Sequence, residues 1–199
     1  MREDHLSPKE VRRRLATLGD QPQLSYGRIP GVDPSMLTPS AVLIPLCEVE
    51  GRMSAVFTKR PDTMPEHSGE VSFPGGRVEE DDEDLSQTAL RETEEEIGLS
   101  TQDVELYGAL LEMPTVTGYQ ITAYVGEFSH PYDFEPNPGE IEALFVAPLE
   151  ELADPKNHRV ERRSWGEHTF DIHYFDYEEY VIWGATGHML DVLLGWLGE

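Results

Sequence analysis

Gly75-Gly76-Arg77-Val78-Glu79-Glu80-Asp81-Asp82-Glu83-Asp84-Leu85-Ser86-Gln87-Thr88-Ala89-Leu90-Arg91-Glu92-Thr93-Glu94-Glu95-Glu96-Ile97-Gly98-Leu99 is the stretch whose reading decides the fold. A glycine pair, an acidic loop and a helix-forming run closed by a further glycine predict a helix from about Asp84 to Ile97, with Gly98 in the left-handed cap position. On that helix Glu92 and Glu96 are i and i+4, and Glu95 lies beside them, so three carboxylates crowd one face. Unrelieved, such crowding costs a few tenths of a kcal/mol per exposed pair. A hard divalent ion reverses the sign, because Mg²⁺ and Mn²⁺ prefer oxygen ligands and bridge to substrate phosphates. The bland alternative is a solvated acidic face. Against it stand Leu85, Ala89, Leu90 and Ile97, which can pack the opposite side, and the double glycine, which lets backbone approach the helix start. An EF-hand is a poor fit, since the loop from Glu79 to Asp84 lacks the internal glycine and ligand spacing of that motif.

Working outward, Ser7-Pro8-Lys9-Glu10 has the order of a capping box and predicts a short helix to about Leu18, stopped at Gly19. Asp20 to Leu37 reads as an extended connection. Strands are expected at Ser40 to Cys47 and Arg52 to Thr58, joined by a turn at Glu50-Gly51, and at Glu70 to Phe73 before Pro74. Beyond the helix, strands are expected at Val104 to Met113, Gln120 to Phe128, near Ile141 to Ala147, Val160 to Trp165 and His168 to Tyr174. A helical turn at Pro148 to Leu152 and a final helix from about Ala185 to Leu197 complete the pattern. Helices set between and after strands predict an α+β fold, an α/β/α sandwich with a mixed sheet. The expected division is residues 1–37 as an N-terminal helix and extended connection packed on a domain at 38–199.

The chain of 199 residues carries 39 acidic against 15 basic side chains, a formal net charge of −24, and only three of the basic residues are lysines (Lys9, Lys59, Lys156). That balance excludes a general phosphate-backbone binder, so no nucleic-acid partner is expected. No run approaches the roughly 18 to 20 apolar residues that span a bilayer, and the N-terminus opens no apolar signal core; a soluble, cytoplasmic protein without a membrane partner is the expectation. The one cysteine, Cys47, sits in an apolar run and reads as a buried hydrophobe. Such an acidic surface repels itself in dilute buffer and suits either a salt-rich cytoplasm or an acidic protein of an Arg-favouring genome. The sequence leaves open whether the chain forms a homodimer.

Arg91-Glu92-Thr93-Glu94-Glu95-Glu96-Ile97-Gly98-Leu99 resembles the second half of the Nudix box, Arg-Glu-aliphatic-x-Glu-Glu-x-Gly-aliphatic, and Gly76 with Asp82 resembles its first half. Thr93 stands where an aliphatic residue is usual, and the stretch from Gly76 to Arg91 is one residue longer than in the general box, which leaves Asp82 or Glu83 as the mid-loop acid. Upstream, Val56-Phe57-Thr58-Lys59-Arg60-Pro61, then Gly69 and Phe73-Pro74-Gly75-Gly76, is similar to the element that precedes the box in coenzyme A pyrophosphatases. Ile182-Trp183-Gly184-Ala185-Thr186 is similar to that subfamily's Ile-Trp-Gly-x-Thr. Pro61 replaces the subfamily's serine and Pro65 its second arginine. The resemblance covers about residues 40–197.

The resemblance implies a Nudix-like mixed β-sheet flanked by helices and a Mg²⁺- or Mn²⁺-dependent hydrolase of a nucleoside diphosphate derivative. The leading substrate is coenzyme A, cut to 3′,5′-ADP and 4′-phosphopantetheine. ADP-ribose or a dinucleotide is the alternative, and a silent nucleotide-binding domain a third reading, disfavoured because all three glutamates are present. It implies Glu92 and Glu96 as metal ligands with Glu95 as a third, carbonyls around Gly75 and Gly76 as further ligands, and Arg91 as the residue that orients a glutamate. Arg60, His67 and Arg77 are candidates for meeting substrate phosphates. The general base is expected among the box glutamates or at Glu140. The remaining histidines show no metal-ligand spacing, and Trp165, Trp183, Trp196 and the Tyr174-Phe175-Tyr177-Tyr180 group read as core.

Overall fold

The computed structural model describes residues 5–25, 32–63, 68–165 and 168–198. Its spine is β2 (Thr38–Val49), a strand whose alternate side chains enter two different cores. Ala41 and Leu43 point to one face of the sheet, Ile44 and Leu46 to the other. Such two-sided burial is what a strand covered on both faces requires. β2 runs parallel to β7 (Tyr119–Phe128) on one side. On the other side its end pairs antiparallel with β3 (Arg52–Lys59), while its start pairs with the short β5 (Gly75–Arg77). The β2–β3 turn is the expected one, with Glu50 and Gly51 both at positive φ, the twist that suits a tight hairpin.

The sheet is completed by β1 (Leu24–Ser25) and β6 (Val104–Pro114) beyond β7, and by β4 (Val71–Ser72) and β8 (Ala143–Pro148) against β3. One face carries α2 (Leu85–Ile97), seated on Ala41, Leu43, Ala109 and Tyr124 through Ala89, with Leu85 and Leu90 at the margin. The opposite face carries α1 (Pro8–Leu15), the one-turn α3 (Leu149–Leu152) and α4 (Gly184–Gly198), whose Val11, Leu15, Leu149, Leu190, Leu193 and Leu197 are fully buried. A second, three-stranded sheet of β9 (His158–Trp165), β10 (His168–Tyr177) and β11 (Tyr180–Ile182) packs beside α4. The fold is thus the expected α/β/α sandwich around a mixed sheet.

Local differences have physical causes. The capping box at Ser7 does not form: Ser7 makes no side-chain cap bond, and the Glu10 carboxylate is taken by Arg13 at 2.9 Å and lies near Arg14. The helix ends at Leu15 instead of Leu18. The strands β1, β5 and β11 were not expected, since two or three residues leave no period to read. Cys47 is fully buried, and burial pushes its thiol up to about 12. Phe175 is core, with Tyr177, Tyr180 and Trp196 packed at its margin. Trp183 corrects the core reading: it is exposed and stacks on Tyr174.

Candidate active site

The site is assembled where β2 changes partners. Between the stretch paired with β5 (to Val42) and the stretch paired with β3 (from Leu46), the chain bonds outward to Pro74, whose carbonyl accepts from the Leu43 N–H at 3.0 Å. This splay feeds Gly75-Gly76 under α2. A Cβ at Gly75 would stand 2.4 Å from the Ala41 carbonyl oxygen, and one at Gly76 would stand 2.3 Å from the Glu92 carboxylate. Gly75 is therefore required by contact with backbone, while at Gly76 the obstacle is the movable end of the Glu92 side chain.

Helix α2 aims its acids from well-made ends. Asp84 caps the start, its Oδ1 accepting from the Gln87 N–H at 2.9 Å, and Gly98 ends it at φ 70°. Thr93, in the usual aliphatic position, is fully buried and donates its hydroxyl to the Ala89 carbonyl at 2.7 Å. That intrahelical bond is how a polar side chain is accommodated there.

The three glutamates sit at three depths, with side chains 4% exposed for Glu96, 17% for Glu92 and 59% for Glu95. This is not a solvated acidic face. Glu96 is turned inward, one oxygen 3.4 Å from Arg60 Nη2 and the other accepting from the Gly75 N–H at 3.3 Å. Burial pushes its carboxyl up to about 7, with Arg60 and the Gly75 amide opposing and the charges of Glu92 and Glu140 adding. Burial likewise raises Glu92, against the pull of Arg91.

Arg91 organises the rest. Its Nε and Nη2 grip both oxygens of Asp82 at 2.9 and 3.0 Å, Nη2 also donates to the Arg77 carbonyl at 3.0 Å, and Nη1 reaches Glu92 at 3.1 Å and Glu95 at 3.2 Å. The mid-loop acid is thereby Asp82, held well below the usual carboxylate range by Arg91 and further bonded by Thr88. Glu83 stays exposed, its N–H donating to Gln87.

From the far side, the loop after β7 closes on the end of α2: the Glu135 and Asn137 N–H groups donate to the Ile97 and Glu96 carbonyls at 3.0 and 2.8 Å. Asn137 Nδ2 then holds the Glu140 carboxylate at 3.1 Å, and that charge bears on both Glu92 and Glu96. Asn137 was missed in the sequence, where it lies in a Pro-rich loop with no periodic signal. Arg77 is exposed and hydrogen-bonded to the Tyr119 hydroxyl, at the rim. His67 lies outside the described residues.

Glu92, Glu95 and Glu96 offer oxygen donors alone, a set whose chemistry fits Mg²⁺ or Mn²⁺ and not a softer ion. A buried carboxylate that still carries raised affinity for a proton is also one that a cation relieves. The glutamate oxygens are engaged separately, by Arg60, Arg91 and the Gly75 amide, and the three carboxylates do not all lie within 4.8 Å of one another, so holding one ion requires them to draw together.

Residues 36–169 match the NUDIX domain family. Nudix hydrolase 15, mitochondrial, of Arabidopsis thaliana is 40% identical over 167 residues, covering 79% of this chain and 59% of that protein. The chain thus spans less than two thirds of that relative's length. Peroxisomal coenzyme A diphosphatase NUDT7 of Mus musculus is 32% identical over 155 residues, covering 75% of this chain and 66% of that protein. Uncharacterized Nudix hydrolase NudL of Cronobacter sakazakii is 32% identical over 161 residues, with coverages of 80% and 83%. Among solved structures, the fold is similar to that of a Nudix hydrolase from M. smegmatis, RenU, with TM-score 0.50 and 19% identity over 59% of this chain and 74% of that one. Among the described residues no helix is long and apolar enough to cross a membrane. A glycine pair under a box helix, an arginine that ties its loop acid to two of its glutamates, and a family match across most of the chain carry one conclusion: the chain belongs to the Nudix family.

Proposed function

We propose that the chain is a divalent-metal-dependent hydrolase of the diphosphate linkage in coenzyme A and its derivatives. The observation that carries this reading is the 3.4 Å contact between Arg60 and Glu96, which joins the element before the box to the box itself at one place. The similarity to the mouse coenzyme A diphosphatase supports it.

In this reading Glu92 and Glu96, with Glu95 and a carbonyl at Gly75 or Gly76, hold Mg²⁺ or Mn²⁺. Such an ion neutralises charge on a diphosphate and lowers the pKa of a bound water. The chain's own groups do the rest. Arg91 holds Glu92 and Glu95 in place and ties them to the loop through Asp82. Arg60 and the rim residue Arg77 meet phosphate oxygens, a role the sequence also gives to His67. The base that takes the proton of the attacking water is drawn from Glu95, the most exposed of Glu92, Glu95 and Glu96, and Glu140, held by Asn137. Water adds to phosphorus and the bridging P–O bond breaks, so that two phosphate monoesters leave, 3′,5′-ADP and 4′-phosphopantetheine. The segment 1–37 is an extension packed on the hydrolase domain at 38–199, a role supported by the buried Val11 and Leu15.

The deciding experiment is a panel of coenzyme A, acyl-coenzyme A, ADP-ribose and NADH, each assayed with Mg²⁺ and with Mn²⁺. Highest kcat/KM on the coenzyme A compounds is the expected result. A preference for ADP-ribose or a dinucleotide would replace the substrate assignment and leave the metal chemistry standing.

A further inference from the structure

Away from α2, two histidines and an aspartate that lie far apart in sequence come together. The β9–β10 register sets His158 opposite Phe175 and Val160 opposite His173, so the two histidines are diagonal neighbours on one sheet face. Their rings stack at 5.2 Å, and His158 also lies flat on Phe175 at 4.3 Å. Helix α4 crosses that face closely because Gly187 has no Cβ: one there would stand 2.5 Å from the His173 carbonyl oxygen. One turn further along, Asp191 is brought to the same point.

Three donor atoms then face one another. His158 Nε2 is 3.0 Å from His173 Nδ1, which is 3.1 Å from Asp191 Oδ1, and the third side is 4.0 Å. No arrangement of protons gives each of the two short contacts a linear hydrogen bond of its own, because both meet at the one ring nitrogen His173 Nδ1. With both rings neutral, a proton on His173 Nδ1 can point at Asp191 or at His158, and the other short contact is left without one. A proton on His158 Nε2 instead leaves His173 Nδ1 and Asp191 Oδ1 lone pair to lone pair. With both atoms protonated, two N–H groups oppose each other at 3.0 Å. A cation at the centre removes the conflict. Ligand bonds of roughly 2.0 to 2.2 Å in a tetrahedron place donors about 3.4 Å apart, and the three sides observed bracket that value. All three side chains are half-buried, and three donors leave the fourth tetrahedral position to a water or another ligand.

We propose that His158, His173 and Asp191 form a site for a borderline transition-metal ion, Zn²⁺ in the first instance, that clamps α4 to the three-stranded sheet. Two imidazoles and one carboxylate select Zn²⁺, Co²⁺ or Ni²⁺ over Mg²⁺, the reverse of the all-oxygen set on α2. The site is distinct in elements, donors and metal class from the one in the proposed function, and it does not depend on that reading.

The test uses the full chain after chelation and dialysis. Calorimetric titration with Zn²⁺, and Co²⁺ titration followed by the visible absorption of a tetrahedral cobalt centre, are run on wild type, His173→Ala, Asp191→Ala and Glu92→Gln. We expect one equivalent bound by wild type, with a rise in Tm, and the same equivalent retained in Glu92→Gln. His173→Ala and Asp191→Ala should lose it or weaken it by more than about a hundredfold, beyond what outer partners of a metal site contribute. Asp191 is partly exposed, so its variant keeps the test valid if His173→Ala fails to fold. Zn²⁺ and Co²⁺ binding undiminished in Asp191→Ala, or none by wild type, overturns the proposal.

Discussion

Glu92 closes over Gly76 so tightly that a methyl group on the glycine would stand 2.3 Å from the carboxylate. The neighbouring Gly75 is equally crowded, but by the Ala41 carbonyl and the Val42 backbone, at 2.4 and 2.6 Å. The difference decides what each substitution does. A carboxylate at the end of a flexible side chain can move; a central strand cannot.

Gly76→Ala should therefore leave stability within about 1 kcal/mol of wild type while displacing Glu92 and weakening Mg²⁺ or Mn²⁺ binding about ten- to a hundredfold. Gly75→Ala should destabilise by about 1 to 3 kcal/mol or more, as overpacking against backbone does. Denaturant unfolding and metal titration of both variants separate the effects. Equal loss of stability in the two would show that Glu92 is as immobile as the strand.

Glu96→Gln removes the most buried of the three glutamate charges. Turnover should fall by several powers of ten, while the fold is kept or slightly stabilised because a desolvated carboxylate and its repulsion from Glu92 and Glu140 are gone. Activity retained in this variant, or by wild type in excess EDTA, would remove Glu96 from the metal site.

How much of this was legible in the sequence follows from the kind of signal each part carries. Helix α2 was readable almost to the residue, because Asp84 and Gly98 are end signals with their own mechanisms and the acids repeat at helical spacing. The depth of the glutamates was not. Nothing local distinguishes Glu96 from Glu95; their separation into buried and exposed depends on where β2 changes partners, a long-range fact. Asp82 could be chosen over Glu83 only once Arg91 was seen to grip it. The His158–His173–Asp191 triangle was invisible for the same reason: strand register and a missing Cβ at Gly187 assemble it, and neither has a linear spacing.

The raised Glu96 carboxyl predicts a pH dependence with a definite sign. Its folded value of about 7 lies above the ordinary 4.5, so the folded chain holds this proton more tightly than the unfolded chain does. The group's contribution to stability is complete below about pH 4.5 and is lost as pH rises through about 7. In EDTA, Tm should fall from about pH 5 to about pH 8 more steeply for wild type than for Glu96→Gln, and excess Mg²⁺ should flatten the wild-type slope. Parallel slopes in EDTA would show that Glu96 titrates normally.

Salt acts on the whole surface. Arg12 with Glu127, Arg52 with Glu151 and Arg159 with Asp176 are close pairs that screening weakens, yet 15 basic side chains face 39 acids. Self-repulsion should dominate, so Tm should rise between about 0.1 M and 1 M monovalent salt, where the Debye length shrinks from about 10 to 3 Å. A flat or falling Tm would mean that the local pairs already balance the acids.

Coenzyme A carries a 3′-phosphate in addition to its diphosphate, and a chain this acidic can meet that charge only where cations gather. The described cations nearest the box glutamates are Arg91, fully engaged by Asp82, Glu92 and Glu95, then Arg60 and the rim residue Arg77. A charge-assisted contact to the extra phosphate is worth about 1.5 to 3 kcal/mol, so kcat/KM for coenzyme A should exceed that for dephospho-coenzyme A by about ten- to a hundredfold. Arg60→Ala tests the source of that preference, with one complication: Arg60 also opposes the burial of Glu96, so its loss should slow turnover on both compounds. The ratio is therefore the informative readout. If Arg60 contacts the 3′-phosphate, the ratio collapses toward one; if only the common rate falls, Arg60 acts through Glu96 and the preference belongs to Arg77 or to the segment around Pro65. Equal efficiency of the wild type on both compounds would point to a broader diphosphate hydrolase, and faster cleavage of ADP-ribose would overturn the coenzyme A assignment.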